Sequence, residues 1–388
     1  MNEVKDNLKV VTTVTPIVFQ TGPGTVLHTL SQEQSHTELG NKFRIGLFMG
    51  GASSEKEISL ESARHVYNNL DREKYDIIPI FVDEKRHLWV VEESLLWKNT
   101  AADIVSALEG ASRSIFYDDL KSLIDFAFIA LHGKFGEEAF PGLFEILGIP
   151  NNGASVLGGA LSMDKYRQRG ILTAEGIDVP KYVGIELESW KRDPVKVVEK
   201  IEQVLGYPFM VKPSREGSST ALFKVRIRDE IDKAFGDAFK YDNTILAEEV
   251  LAGTELTTLV YGLDEEVKAL PPSELLKEGD FLTAEEKFLP GGARMITPPR
   301  LPEDAILRIK EVSIKVFKSL GLKIYSRIDS FWIGGRGVVV LEPNNPPAMT
   351  PSTALWLQAA EAGFNTTKFL DELINISLKA HAGKIGPL

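Results

Sequence analysis

Residues 325–344 leave this chain the least freedom. Gly335-Arg336 is a turn dipeptide of the Gly-X kind with β-branched, apolar flanks, which reads as a β-hairpin. Pairing 334 with 337 sets Asp329 opposite Glu342 and Arg327 opposite Asn344. Residues two apart share a strand face, so the four side chains project together. Two directly opposed carboxylates repel, so the fold has to bring a cation to them. Two acidic oxygen donors, an amide oxygen and an arginine suit Mg²⁺ holding phosphates. An exposed hairpin with scattered polar residues is the competing reading, and the rest of the chain bears on the choice.

At 388 residues the chain has room for two or three domains with cores of their own. A formal net charge of -11 argues against a general nucleic-acid or membrane-surface binder, so locally placed lysines and arginines must meet any phosphate ligand. The absence of cysteine excludes disulfides, thiolate metal sites and cysteine nucleophiles, and the six histidines show no zinc-ligand spacing. No apolar run approaches the roughly 18 residues of a membrane span. The N-terminus lacks a charged segment followed by an apolar core, so the cytoplasm is the expected location.

Residues 1–42, rich in Thr, Val, Gly, Ser and Gln and broken at Gly22-Pro23-Gly24, read as a flexible extension, with an added strand or oligomer arm as the alternative. From Phe43 on, apolar strands (Phe43–Met49, Tyr75–Val82, Asp125–Leu131) alternate with helical text (Ser54–Leu70), the pattern of a parallel sheet with helices on its faces. A helix over Leu157–Glu175 leads into short strands at Lys181–Ile185, Phe209–Lys212, Thr220–Val225 and Ile245–Glu248. The last third adds a helix at Glu303–Leu320, the hairpin, and a closing helix near Thr366–Ala382. The expected organisation is three α/β modules, at 43–157, 158–252 and 253–388.

Lys212-Pro213-Ser214-Arg215-Glu216-Gly217-Ser218-Ser219-Thr220 lies between two strands and offers backbone N–H groups and hydroxyls to an anion, with Lys212 in reach of a phosphate oxygen. Because the lysine precedes the loop, this is not a Walker motif; an ordinary turn is the plain alternative. Lys165 sits on a helix, where a solvated surface charge is the usual reading. Glu248 closes an apolar strand, with Leu251 and Glu255 just beyond, and such a strand end can meet an adenine edge and a ribose; acidic helix caps are the alternative. Glu57 follows the Gly50-Gly51 turn and His132 follows a buried strand, both at strand exits where doubly wound sheets bind ligands.

Singly these signals are weak, but their order is specific. The chain resembles the D-alanine–D-alanine ligases of the ATP-grasp superfamily over roughly 43–382. The most specific segments are Gly50 to Leu60, Leu131-His132-Gly133, Ser162-Met163-Asp164-Lys165, Lys212 to Ser219 and Arg327-Ile328-Asp329. The resemblance implies a three-module ATP-grasp architecture with an N-terminal parallel-sheet domain. It implies ligation of two D-alanines through an acyl phosphate for peptidoglycan precursors, using ATP and two Mg²⁺ (or Mn²⁺) ions, in a homodimer. Carried over by position, Lys165, Lys212 and Lys287 would hold phosphates, Glu248 and Leu251 the adenine, and Glu255 the ribose. Asp329, Glu342 and Asn344 would ligate metal, and Arg327 would stabilise the tetrahedral oxyanion. Glu57 would take the first substrate's ammonium, His132 would lie near its carboxylate, and Ser218 would help fix the closing loop.

Some positions depart from the family pattern. Ala348 replaces a glycine whose N–H serves the oxyanion, Thr353 replaces a serine contacting the second carboxylate, and Pro141 stands at a usual glutamine. In the lid, Phe288 replaces a tyrosine, a change that in this family goes with acceptance of D-lactate. Two alternatives to dipeptide synthesis therefore stand: a D-alanine–D-lactate (or other D-Ala-X) ligase, and an ATP-grasp protein that binds nucleotide without ligating.

Overall fold

The computed structural model describes residues 42–217, 220–276 and 294–382; the expected extension, and with it Ser218, Lys287 and Phe288, lies outside the described residues. Helices of eight residues or more and all strands are numbered in chain order.

The first sheet takes β1 (Phe43–Gly50), β2 (Tyr75–Val82), β3 (Leu88–Val91), β4 (Ser112–Ile115) and β5 (Phe126–Ile129), with α1 (Lys56–Asn69) between β1 and β2 and α2 (Ala139–Leu147) after β5. Its order is β4-β3-β2-β1-β5. Strand β1 pairs in parallel with β2 and β5, as expected, but β3 and β4 add an antiparallel edge. The sheet is therefore mixed. Both antiparallel strands are four residues long, and Ser112–Ile115 carries too few apolar residues to show a period. One face buries Leu47, Phe126 and Phe128 with Leu60 and Val66 of α1, and the other buries Phe48 and Ile129 against Phe140 and Phe144 of α2.

The expected single helix over 157–175 is two, α3 (Val156–Met163) and α4 (Lys165–Ala174). Asp164 breaks it: at φ −90°, ψ 91° its carboxylate accepts from Arg167 N of the next turn, a capping use of Asp that competes with continued helix. The break makes Lys165 the first residue of α4. The second sheet, in the order β6-β9-β7-β8, is antiparallel and comprises β6 (Tyr182–Glu186), β7 (Phe209–Pro213), β8 (Phe223–Val225) and β9 (Thr244–Glu249). Helices α5 (Pro194–Val204) and α6 (Ile231–Ala238) bury Ile201 and Phe235 on it.

The third sheet holds β10 (Thr254–Gly262), β11 (Lys268–Ala269), β12 (Ser273–Leu276), β13 (Arg294–Ile296), β14 (Ile324–Ile333) and β15 (Gly337–Asn344). Around it pack α7 (Glu303–Ser319), α8 (Ala354–Glu361), which the sequence did not announce, and α9 (Thr366–His381). Asp329 does pair with Glu342, and Arg327 with Asn344. The turn, however, differs from expectation. Ile333 faces Gly337, so Gly334-Gly335-Arg336 forms a three-residue loop, with Gly335 at φ +79° and Gly337 at φ +92°. That offsets the near half of the ladder by one residue. A bulge then restores the pairing: Ser330 faces Val340 and Asp329 faces Glu342, leaving Leu341 as the extra residue.

Candidate active site

The hairpin carries a dense polar cluster. Arg327 donates from Nε to Asp329 Oδ1 (3.0 Å) and from Nη2 to Oδ2 (2.9 Å). Asn344 Nδ2 donates to Asp329 Oδ2 (3.0 Å), and Thr257, directly across on β10, donates its hydroxyl to Oδ1 (2.7 Å). Four donors thus use all the lone-pair sites of one carboxylate. The cation that the opposed carboxylates required is supplied twice over: by Arg327 at Asp329, and by Lys165 and Lys212, whose Nζ atoms stand 3.4 and 3.8 Å from Glu342 Oε2.

Each lysine is held by a different device. Lys165 begins α4, its N–H bonds Ser214 O and its ammonium donates to Glu216 O (2.6 Å), so the 214–217 loop and the helix are stitched together. Ser214 adds a hydroxyl bond to Asp164 (2.9 Å), and Asp242 fastens Arg215 from the other side. Lys212, buried at the end of β7, bonds Glu248 Oε1 at 2.8 Å, while Glu248 Oε2 accepts from Arg169 Nη2 at 2.6 Å. Burial draws the Lys212 ammonium's pKa below its ordinary value, with Glu248 and Glu342 opposing the shift. Glu248 goes the other way: Arg169 and Lys212 outweigh its burial and hold its carboxyl low.

Sequence reading missed Arg169, a fully buried side chain. Its signal was its position four residues after Lys165, which puts both on one face of a helix. It also closes the hairpin's bulge, since Nη2 donates to the carbonyl of Leu341 (3.2 Å). One guanidinium therefore ties the strand bearing Glu248 to the irregularity that sets Glu342 in place.

Glu57 is not brought into this cluster. It lies exposed, and its carboxylate accepts from Ala101 N (3.2 Å) at the start of the short helix Ala101–Ser106. Glu55, two residues earlier and buried, faces the site instead: a Cβ built on Gly133 or on Gly217 would stand 2.8 Å from its Oε2. Glu55 precedes the first turn of α1 and turns toward the strand exit, whereas Glu57 sits in that turn and turns outward.

His132 is buried, and its Nε2 lies 2.9 Å from Ser62 Oγ. Ser62 in turn accepts from Met349 N (3.0 Å), and the other ring nitrogen bonds the carbonyl of Pro346. The imidazole is thereby sewn to the 346–349 segment that holds Ala348. Desolvation, its largest cause, draws the imidazole pKa down to about 4, and Arg327 adds to the effect, so His132 is neutral at neutral pH. Thr353, buried at the start of α8, donates its hydroxyl to Thr350 O (3.0 Å). It lines a small cavity of about 40 Å³ together with Arg327, Asp329, Glu255 and Ala354. Leu251 is half-buried just past β9. The Glu248 carboxylate is spent on Arg169 and Lys212, which leaves the backbone after β9 as the group there that could meet a base.

Among the described residues no three His, Asp or Glu side chains are arranged to hold a metal. An oxygen-only set of Asp329, Glu342 and the Asn344 amide still fits a hard divalent cation, provided that Asn344 turns its oxygen, not its nitrogen, toward it.

The three sheets, with Lys212 of the second and Lys165 of α4 facing Glu342 of the third, define the class of ATP-grasp proteins. Family models described as D-ala D-ala ligase N-terminus and D-ala D-ala ligase C-terminus match residues 44–154 and 171–375. The chain is 34% identical over 356 residues to the D-alanine–D-alanine ligase of Geobacillus thermodenitrificans, covering 88% of this chain and 97% of that one. Among solved structures, the VanG D-Ala:D-Ser ligase of Enterococcus faecalis matches with a TM-score of 0.76 at 29% identity, over 87% of this chain and all of that one. The Bacillus anthracis D-alanine–D-alanine ligase complexed with ATP matches with a TM-score of 0.67 at 28% identity, over 87% and 98%. The chain belongs to the D-alanine–D-alanine ligase family.

Proposed function

We propose that this protein joins two D-alanines at the expense of ATP, forming ADP and phosphate, for a peptidoglycan precursor. The observation that carries the reading is the convergence of Lys165 and Lys212 on Glu342: two ammonium groups and a hairpin carboxylate facing one space. That arrangement receives a triphosphate, and a relative of the same fold is described in complex with ATP.

The γ-phosphoryl passes to the carboxylate of the first D-alanine. The amine of the second attacks the acyl carbon, and the tetrahedral intermediate expels phosphate. Lys165, Lys212 and Lys287 hold the phosphates. The backbone around Leu251 receives the adenine and Glu255 the ribose. Glu55, in place of Glu57, takes the first ammonium. Arg327, fixed before the reaction by Asp329, places its positive charge where the oxyanion forms. Neutral His132, with its ring nitrogens engaged by Ser62 and the Pro346 carbonyl, positions the 346–349 segment beside the first carboxylate without adding a competing charge, and Ser218 would help to close the site. Thr353 borders the cavity where the second substrate's carboxylate fits. Asp329, Glu342 and Asn344 would hold Mg²⁺, which when bound neutralises charge on the transferring phosphoryl group. A chain that draws on ATP in this way works in the cytoplasm, and among the described residues no helix is long and apolar enough to cross a membrane.

Mass analysis of products from ATP, Mg²⁺, D-alanine and equimolar D-lactate tests the reading. Dipeptide is the expected main product; a depsipeptide would reassign the acceptor, and ATP binding without turnover would leave only a nucleotide-binding protein.

A further inference from the structure

Glu137, outside every role assigned above, lies beside Glu55 across a single glycine. Gly133 N donates to Glu137 Oε1 at 2.8 Å, and the same residue's Cα, at φ +72°, presents its hydrogen to the Glu55 carboxylate. A Cβ at Gly133 would stand 2.8 Å from Glu55 Oε2, so only glycine lets the two carboxyls approach this backbone from both sides. The groups facing Glu137 are Glu55, its neighbour Glu138, Lys165 from α4 and the buried Tyr325 phenol of β14. Among the described residues Lys165 is the cation at Glu137, its ammonium engaged by Glu216 O and 3.4 Å from Glu342, and Arg327 is the cation that faces Glu55. Burial, reinforced by Glu55, pushes the Glu137 carboxyl up to about 8. With both carboxyls against the same glycine, ionisation of one disfavours ionisation of the other.

We propose that Glu55 and Glu137 share one proton while the pocket is empty, and that Glu137 surrenders it when the ammonium of the first amino acid docks on Glu55. Glu137 then acts as a positioning residue. It keeps the vacant pocket at a single negative charge and supplies a second once a cation is there to hold it. The inference rests on Glu55 being the ammonium's partner. Free D-alanine carries its ammonium proton at pH 7.5 and keeps it in this scheme, so the proton released comes from the protein alone.

The test is calorimetric titration of D-alanine into the full chain with ADP and Mg²⁺ at pH 7.5, in phosphate and in Tris, whose ionisation heats differ. The parent is expected to release between half a proton and one proton per D-alanine bound, and Glu137→Gln, which keeps the bond from Gly133, none. Affinity should rise between pH 7 and 9 in the parent and stay flat in Glu137→Gln, with a thermal melt of the variant as folding control. No release by the parent, or equal release by Glu137→Gln, overturns the proposal. Glu55→Gln separates the two levels. It should weaken D-alanine at least tenfold; if it binds like the parent, the assignment of Glu55 has failed and this inference with it.

Discussion

Replacing Glu248 by Gln tests whether the buried ion network is the frame of the nucleotide site. The side chain keeps its shape but loses the charge that accepts from Arg169 Nη2 at 2.6 Å and from Lys212 at 2.8 Å. Hydrogen bonds to charged groups contribute about 1.5–3 kcal/mol each, which for two gives about 3–6. Removing one member of a buried ion pair costs about 3–5 kcal/mol by a separate line of evidence. The two estimates agree near 4 kcal/mol. For a chain of this size each kcal/mol moves the melting temperature by about 2 °C, so a drop of about 6–10 °C is expected in a thermal melt at pH 7.5. Among the described residues, Glu342 would then be the carboxylate that remains beside Lys212 and Lys165. Because Glu248 is the first of the groups opposing the burial of the Lys212 ammonium, its loss makes that lysine easier to deprotonate and weakens ADP by about tenfold or more, or about 1.4 kcal/mol. Adding Arg169→Met should recover part of the stability, since the second change removes a cation the first left unmatched. Melts within about 2 °C of the parent for Glu248→Gln, or strict additivity in the double variant, would refute this account.

Asp329→Asn leaves Arg327 without its charged partner and removes a hard oxygen donor. Turnover should fall at least a hundredfold and half-saturating Mg²⁺ should rise, measured by phosphate release over a Mg²⁺ series; unchanged kinetics would show that the hairpin does not hold metal. Glu57→Gln should leave the KM for D-alanine unchanged, with only a slight loss of stability from its contact with Ala101, while Glu55→Gln raises that KM. The reverse result would restore Glu57 to the site. His132, with its pKa lowered from 6.5 to about 4, binds fewer protons folded than unfolded between those values. Its contribution to stability is therefore complete above pH 6.5 and is lost as pH falls toward 4. At pH 5 that loss is about 2 kcal/mol. Urea unfolding at pH 7 and pH 5 should show a pH effect smaller by about that amount in His132→Gln, and an identical pH effect would refute the assignment.

The sequence disclosed the site unevenly. Lys165, Lys212, Arg327 and Asp329 stood out because each belongs to a short string whose order is specific. The hairpin pairing was legible through its chemistry, although the turn behind it was misread. Four consecutive positions, Gly334-Gly335-Arg336-Gly337, admit either a two-residue or a three-residue loop, and only the backbone shows that Gly335 and Gly337 take the positive φ. Had nothing compensated, the one-residue slip would have turned Glu342 and Asn344 to the opposite face of the sheet. Leu341 absorbs it, and the carbonyl of that bulged residue is where Arg169 donates. No local pattern reveals such a partnership, because it joins a helix, the end of one sheet and a bulge in another. The choice between Glu55 and Glu57 was hard to read for a related reason: it depends on where α1 begins, by a single residue, which is finer than capping preference resolves when Glu55 makes no side-chain cap. Motif residues can be read where the chemistry is local. The groups that aim them are long-range partners, so a substitution at Arg169 tests this fold more severely than one at either lysine.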